Sequence, residues 1–484
     1  SSVQTFKVTV NDSTPISGEK TLTIYEDNNG KYKGAYTFVL SDEAFKDQKI
    51  KIDNNDGNGF KEYSTNDTVK IYEGSKEVGT IKILKGGKLE FKPAEDYSKY
   101  TNDNLPNFKY QVSDTDGDYA EGKVNIKVKP VADAPTVTVK NIETTEDYNN
   151  TQEGTNKVAL ELKVPSLSKD QTDKNNATGD SPERNGEITL KFTNGTNVKG
   201  AKLYSGDTKV ADISTNNQPI KVVIVKTSGG TDIDTTYHHS GTLPVKGGNV
   251  LYLTKEEYES LKIQHAEDND TNIQINIGVT SYEVNDNGEP LFGNTDYIDN
   301  NNLNLKKDSS ATMTVSIKPV TDDIELKFDN ATVNGEVLGT IDGKTFVFKN
   351  EIIKEEGIIN FKELLTNTSG TTDGKNGTKK GDLDGSEIRW YTVKFEGNSK
   401  DHPDYLIING KTVSLSNGEY KYEFTASENT KADPDFKVQF PNGYSGGILR
   451  GELTLRVQDR GVEEKNDSSK WGEELKQTVN FEVA

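Results

Sequence analysis

The sequence predicts an all-β chain: tandem β-sandwich domains in an extended array, with only short helical turns. Three observations predict it. One supersecondary unit recurs three times along the 484 residues, apolar residues alternate with a period of two, and clusters of Gly, Asn and Asp punctuate the alternating runs.

Each copy of the unit holds an alternating strand, an acidic or Gly-rich corner, a second alternating strand, and a strand that runs into a linker. The first is Lys88–Tyr97 (KLEFKPAEDY), Phe108–Asp118 (FKYQVSDTDGD) and Val124–Pro135 (VNIKVKPVADAP). The second is Leu261–Asp270 (LKIQHAEDND), Ile273–Thr280 (IQINIGVT) and Met313–Asp323 (MTVSIKPVTDD). Phe436–Ser445 (FKVQFPNGYS), Glu452–Asp459 (ELTLRVQD) and Thr478–Ala484 (TVNFEVA) make the third. A repeated unit followed each time by a linker reads as domains in series, 1–131, 132–320 and 321–484. Residues 1–12 serve either the first domain or the end of a preceding one.

Within the copies, Val124, Ile126 and Val128 alternate with Lys and Asn, and Val479, Phe481 and Val483 repeat the period. Turn clusters stand at Asp53–Gly59, Asn194–Asn197, Ser228–Gly230 and Thr371–Gly381. Short helical turns are expected at Ser41–Gln48, at Thr254–Leu261, where Thr254 and Glu257 form a capping box, and at Asn360–Asn367. The loops Lys169–Gly186 and Thr366–Gly385 are long and polar, serving function or simply exposed as insertions. The second domain's extra material falls mostly in Asp170–Arg184, Ser228–Gly248 and Glu283–Asp308.

Composition narrows the function classes. Hydrophobic residues make up 31% of the chain, enough for several small cores rather than one large one. With no Cys there is neither a disulfide framework nor thiolate chemistry, and a chain with no Cys and a single Met, Met313, suits an extracellular bacterial setting. No apolar run is long enough to span a bilayer as a helix, and no signal peptide or initiator Met is present, as expected of a piece of a longer protein. The formal charge of −20 argues against nucleic acid and anionic membranes and makes cations the natural partners.

Catalysis finds little support. Gly443–Gly447 (GYSGG) matches the nucleophile pattern G-x-S-x-G, but it occupies the corner that reads PAEDY and HAEDN in the other copies, and no His follows Ser445. His238, His239, His265 and His402 lack metal-ligand spacing. No carboxylate pair is singled out for glycoside hydrolysis. The chain is therefore expected not to be an enzyme.

The acids point to Ca2+, which takes six to eight oxygen ligands from flexible loops. Asp114, Asp116 and Asp118 (DTDGD) set carboxylates at alternate positions around a Gly, in a pattern that is not an EF-hand. If the first strand, Thr21–Tyr25, runs down its domain, Glu26 and Asp27 arrive at the pole that also holds the corner Glu95, Asp96 and the linker residue Asp133. By the same logic Glu146, Asp147, Glu267, Asp268, Asp322 and Asp323 gather at the second junction. Asp382, Asp384 and Glu387 (GDLDGSE) and Asp459 meet them there from the third domain. Asp114, Asp116 and Asp118 would face Asp12 and whatever domain precedes. Any single acid can instead be a solvated surface charge, a reading that recurrence at equivalent positions weakens for the set.

Tyr110–Asp118 (YQVSDTDGD) followed by Val131–Pro135 (VADAP) resembles the cadherin-like or bacterial immunoglobulin-like repeats of large RTX adhesins exported by type I secretion. Leu251–Ile263 (LYLTKEEYESLKI) and Asp382–Glu387 are similar to a second repeat type of those adhesins. The resemblance rests on short motifs in all three domains. It implies an Ig-like or cadherin-like fold, calcium that stiffens a stalk at the domain junctions, and location at the bacterial cell surface. Some modules of that family bind sugars, peptides or ice. The third domain departs from the pattern by lacking the AEDY acids at Pro441–Ser445.

Three readings stay open. The chain is a calcium-rigidified extender of an adhesin, acting in attachment to cells, surfaces or biofilm. Alternatively its second or third domain is a module for a glycan or peptide, with Tyr237, Tyr282, Tyr297, Trp390 or Trp471 as stacking platforms, although an alternating strand more commonly buries a Trp such as Trp390. The third reading is a surface-layer subunit. Its partners beyond calcium would be the flanking domains of the same long chain and, for the module, a host or biofilm surface glycan or peptide.

Overall fold

The computed structural model describes residues 18–26, 36–39, 50–85, 88–95, 97–99, 101, 103–113, 119–146, 157–166, 183–193, 198, 200–213, 218–234, 244–266, 269–285, 287–291, 305–321, 324–328, 332–333, 336–337, 339–342, 345–348, 358–360, 365–369, 386–396, 405–408, 410–414, 421–425, 436–439, 449–463 and 465–483. Nearly every element among them is a strand.

Three pairs of sheets follow one another along the chain. In the first, the strands Glu19–Tyr25, Tyr119–Lys129, Asn107–Ser113, Ile50–Asp53 and Lys61–Tyr63 lie side by side in that order. They accompany a sheet ordered Tyr36–Val39, Lys88–Pro93, Lys76–Leu84, Thr68–Glu73. Inward residues of both sheets share one core that includes Ile52, Ile81, Phe91, Phe108 and Ile126. Alternation explains how: along Tyr119–Lys129 every second residue, from Ala120 to Val128, is buried, so one face of the pleat is apolar and the other meets water.

The second pair places Ile142–Thr145, Lys306–Lys318, Ile273–Glu283, Ile188–Phe192, Ile220–Ile224 and Val250–Leu253 in one sheet, with Glu183–Asn185 also pairing along Ile273–Glu283. The other sheet runs Val158–Ala159, Leu261–Gln264, Lys202–Ser205, Thr208–Asp212. Leu190, Leu203, Ile263, Ile275 and Val315 are among its core residues. In the third pair, Gly339–Asp342, Thr345–Phe348, Leu475–Val483, Leu449–Asp459, Glu387–Glu396 and Lys421–Thr425 form one sheet. Ile358–Asn360, Phe436–Gln439, Tyr405–Ile408 and Lys411–Ser414 form the other.

One pairing recurs in all three and sets the polarity of the array. An early strand runs parallel to the last strand: Glu19–Tyr25 beside Tyr119–Lys129 and Ile142–Thr145 beside Lys306–Lys318, both at a sheet edge, and Thr345–Phe348, flanked on its other side by Gly339–Asp342, beside Leu475–Val483. The penultimate strand is antiparallel to the last in each case. Hence this early strand ends at the pole where the last strand ends, and the penultimate strand ends at the opposite pole.

The helical turn at Lys255–Glu259 forms with the expected capping box, Thr254 Oγ1 accepting from Glu257 N and the Glu257 carboxylate accepting from Thr254 N. Three expectations need correction. The loop read as Thr366–Gly385 begins inside the strand Leu365–Ser369, so that Thr366–Ser369 is strand and not loop. Asn360 ends a strand and Leu365–Ser369 is another, paired with Ile324–Phe328, so the helical turn expected across Asn360–Asn367 gives way to long-range strand pairing. The stretch read as the loop Lys169–Gly186 contains the strand Glu183–Asn185, which pairs with Ser281–Glu283. The turn expected at Ser41–Gln48 lies outside the described residues.

Candidate functional site at the domain joints

The acids of interest stand where strands end. Along Glu19–Tyr25 the core-facing row passes through Ile24, and the next residue in phase is Glu26, which is buried. The Glu26 amide continues the parallel ladder by donating to Lys129 O at 3.1 Å. Its carboxylate accepts the backbone N–H of Val131, the second residue after the last strand. The second domain repeats this: the Glu146 amide donates to Lys318 O at 3.1 Å, and its carboxylate accepts from Val320 N at 2.6 Å. Glu146 is also buried. Each carboxylate thus fastens the first residues of an outgoing linker to the domain that the chain is leaving, through a charge-assisted hydrogen bond.

The receiving pole carries a facing pair of acids. Glu183 and Glu283 are register partners on adjacent strands, both fully buried. In the third domain Glu387 and Asp459 are register partners in the same way, at 8% and 1% exposure. These acids too continue core-facing rows: Ile273, Ile275, Ile277, Val279, Ser281 and Glu283 on one strand, and Leu453, Leu455, Val457 and Asp459 on another. The Arg389 guanidinium lies 3.5 Å from the Glu387 carboxylate.

Linker and receiving pole touch directly. Asp133, half-buried, donates its backbone N–H to the Glu183 carboxylate. At the second joint Asp459 N donates to Thr321 Oγ1 at 3.0 Å. The first joint therefore gathers Glu26, Val131, Asp133, Glu183 and, through strand register, Glu283. The second gathers Glu146, Val320, Thr321, Asp459 and Glu387 in equivalent places.

Of the acids singled out from sequence, the structure describes Glu26, Glu95, Asp133, Glu146, Glu387 and Asp459. Glu95 is exposed. Asp12, Asp27, Asp96, Asp114, Asp116, Asp118, Asp147, Glu267, Asp268, Asp322, Asp323, Asp382 and Asp384 lie outside the described residues, as do Ser445, Tyr237 and Tyr297. Among the described residues no group of three or more His, Asp or Glu side chains is close enough to hold a metal ion. Sequence reasoning missed Glu183, Glu283 and Asp270. The first two fell in stretches read as insertions, yet the phase of Ile273–Glu283 places an acid where a core residue belongs.

The described aromatic candidates, Tyr282, Trp390 and Trp471, are engaged in the fold. Trp390 is half-buried, with the guanidinium groups of Arg456 and Arg460 5.5 and 4.7 Å from its ring centre. Arg460 also lies 4.3 Å from the Trp471 ring centre. The Tyr282 ring covers Gly186, where an added Cβ would come within 2.7 Å of it.

Residues 42–127 match the family of bacterial Ig domains. No curated protein matches the chain. Solved structures similar to it include protocadherin gamma B7 extracellular cadherin domains 1–4, at 9% identity and a TM-score of 0.24, covering 97% of this chain and 75% of that one. Mouse cadherin-23 EC22–24 is similar at 10% identity and a TM-score of 0.24, covering 96% and 95%. Protocadherin gamma B2 extracellular cadherin domains 3–6 gives 9% identity and a TM-score of 0.27, covering 93% and 77%.

Proposed function

We propose that this all-β, Ig-like array is a calcium-stabilised extender region of a bacterial surface adhesin, serving attachment to cells, surfaces or biofilm. One observation carries the reading. The same clasp, a buried glutamate just after the edge strand holding the outgoing linker, occurs at both joints, and at each the linker also bonds to a member of a buried, register-paired couple of acids on the next domain. A module whose only task were to bind a ligand would not need its acids there.

The donor set suits the ion. Every candidate ligand is a hard oxygen donor, as Ca2+ prefers, and the absence of Cys suits an oxygen-only site. Register-paired carboxylates out of water oppose folding. At most two of Glu26, Glu183 and Glu283 at the first joint, and at most two of Glu146, Glu387 and Asp459 at the second, would share one ion, with the neighbouring loop acids supplying its other carboxylates. A bound divalent cation supplies positive charge that offsets their repulsion. The finer assignment, cadherin-like repeats of an RTX adhesin exported by type I secretion and placed at the cell surface, belongs to this proposal and is supported by Tyr110–Asp118 and Val131–Pro135.

Thermal unfolding in calcium, magnesium and chelator tests it. A ligand that binds only the folded state adds about 2.7 kcal/mol when present at 100 times its Kd. Calcium should raise the midpoint well beyond magnesium. Equal midpoints in all three conditions would rule out the metal.

A further inference from the structure

We propose that the hairpin loop 460–474 of the third domain is a built-in latch that locks it to the second domain without any metal ion. The loop joins the strands Leu449–Asp459 and Leu475–Val483, and it reaches the neighbouring domain at separate points. Val462 N donates to both oxygens of Asp270, at 3.2 and 3.0 Å, and Asp270 is itself 1% exposed in the corner that precedes Ile273–Glu283. Asn272 Nδ2 donates to the Glu463 carboxylate, while Asn272 Oδ1 accepts from Ile317 N at 2.9 Å. One side chain therefore ties the latch to the last strand of the second domain.

The far end of the loop closes over the linker. Gly472 N donates to Asp459 O at 2.8 Å and Gln458 Nε2 donates to Gly472 O at 3.2 Å. A Cβ on Gly472 would stand 2.6 Å from Thr321 Oγ1 and 2.8 Å from Thr321 N, closer than real side chains approach. Only glycine lets the loop lie flat on the linker there. Within the third domain the Arg460 guanidinium sits between the Trp390 and Trp471 rings, 4.7 and 4.3 Å from their centres, a cation–π stack that pins both ends of the loop to the sheet. A pinned loop transmits its contacts with Asp270, Asn272 and Thr321 to the whole domain, so the joint is rigid before any ion binds.

The absence of Cys makes the test direct. Spin labels at the exposed positions Lys82→Cys with Lys209→Cys report the first joint, and Lys209→Cys with Lys411→Cys the second. Distance distributions are measured on the full chain in calcium and in excess chelator. The second joint should stay as narrow in chelator as in calcium, and Gly472→Val or Asp270→Ala, each in chelator, should destroy that narrow distribution. Glu463→Ala, at a side chain on the rim of the contact, should broaden it partially. Broadening of the second joint by chelator alone, or a narrow distribution kept in the folded variants, overturns the latch. Circular dichroism identifies a variant that fails to fold, and the remaining ones then decide. Because the variants are compared in chelator, the result stands whether or not calcium stabilises the chain.

Discussion

The Glu26 carboxylate accepts the backbone N–H of Val131, a residue 105 positions further along the chain. The contact joins the end of an edge strand to the start of a linker, so its loss acts on the exit of the first domain. Glu146 and Val320 repeat it 174 positions apart.

Replacing that acid separates two contributions. Glu26→Ala leaves Val131 N without its acceptor and should cost about 1–3 kcal/mol in chelator, read from urea unfolding of the first domain. Glu26→Gln keeps an acceptor oxygen and should retain most of the stability in chelator while losing the increment given by calcium. Equal calcium increments for the Gln variant and the native chain would remove Glu26 from the ligand set.

At the first joint, the backbone of Asp133 makes the contact to Glu183. Asp133→Ala should therefore behave like the native chain in chelator, and any defect it shows should appear only as weaker calcium binding in calorimetric titration. Glu183→Ala removes the acceptor and should weaken both. A loss of calcium affinity in neither variant would exclude this pole from the metal site.

Glycines beneath aromatic rings make the first and third domains separately addressable. Gly122 faces Tyr110 and Gly451 faces Phe481 as register partners, and a Cβ at either glycine would overlap the opposing ring. Gly122→Ala and Gly451→Ala should each cost about 1–3 kcal/mol, the range typical of overpacking. Scanning calorimetry should show the first variant lowering one transition and the second a different one, because distant sites act independently. A common shift of all transitions would mean that the array unfolds as one unit.

Chelation should change the shape of the chain in solution. Short linkers leave domains free to move unless their interface is held. Small-angle scattering should show a long, rigid particle with calcium and a more flexible one in chelator, with the hinge confined to the first joint if the latch holds the second. An unchanged profile would leave calcium without a mechanical role.

Much of this architecture is written locally. Period two in Lys123–Lys129 and Thr478–Val483 places Val124, Ile126, Val128, Val479 and Phe481 in cores because alternate side chains of a strand must share a face. The capping box at Thr254 is equally local, since its partners lie three residues apart. Glu26 was legible as an acid at the end of a strand that runs into the exit pole.

What the sequence alone determined is the all-β class, the alternating strands Lys123–Lys129 and Thr478–Val483, and the capped turn at Thr254, because those depend on neighbours along the chain. By contrast, the ends of Asn360–Asn367, read as a helical turn, are strand through distant partners. Tertiary structure decided which ends meet. Glu183 and Glu283 become a pair only when strands a hundred residues apart in sequence align in register, and a polar stretch before Gly186 gives no local sign of that partner. Phase alone marks Glu283 and Asp459 as buried, by putting a carboxylate where the core-facing row continues. Asp270 looks like any other acid of its corner until Val462, 192 residues away, donates to it. Pairings of that range are chosen by whole-sheet packing, in which the burial of many apolar side chains outweighs the cost of bringing a few acids out of water.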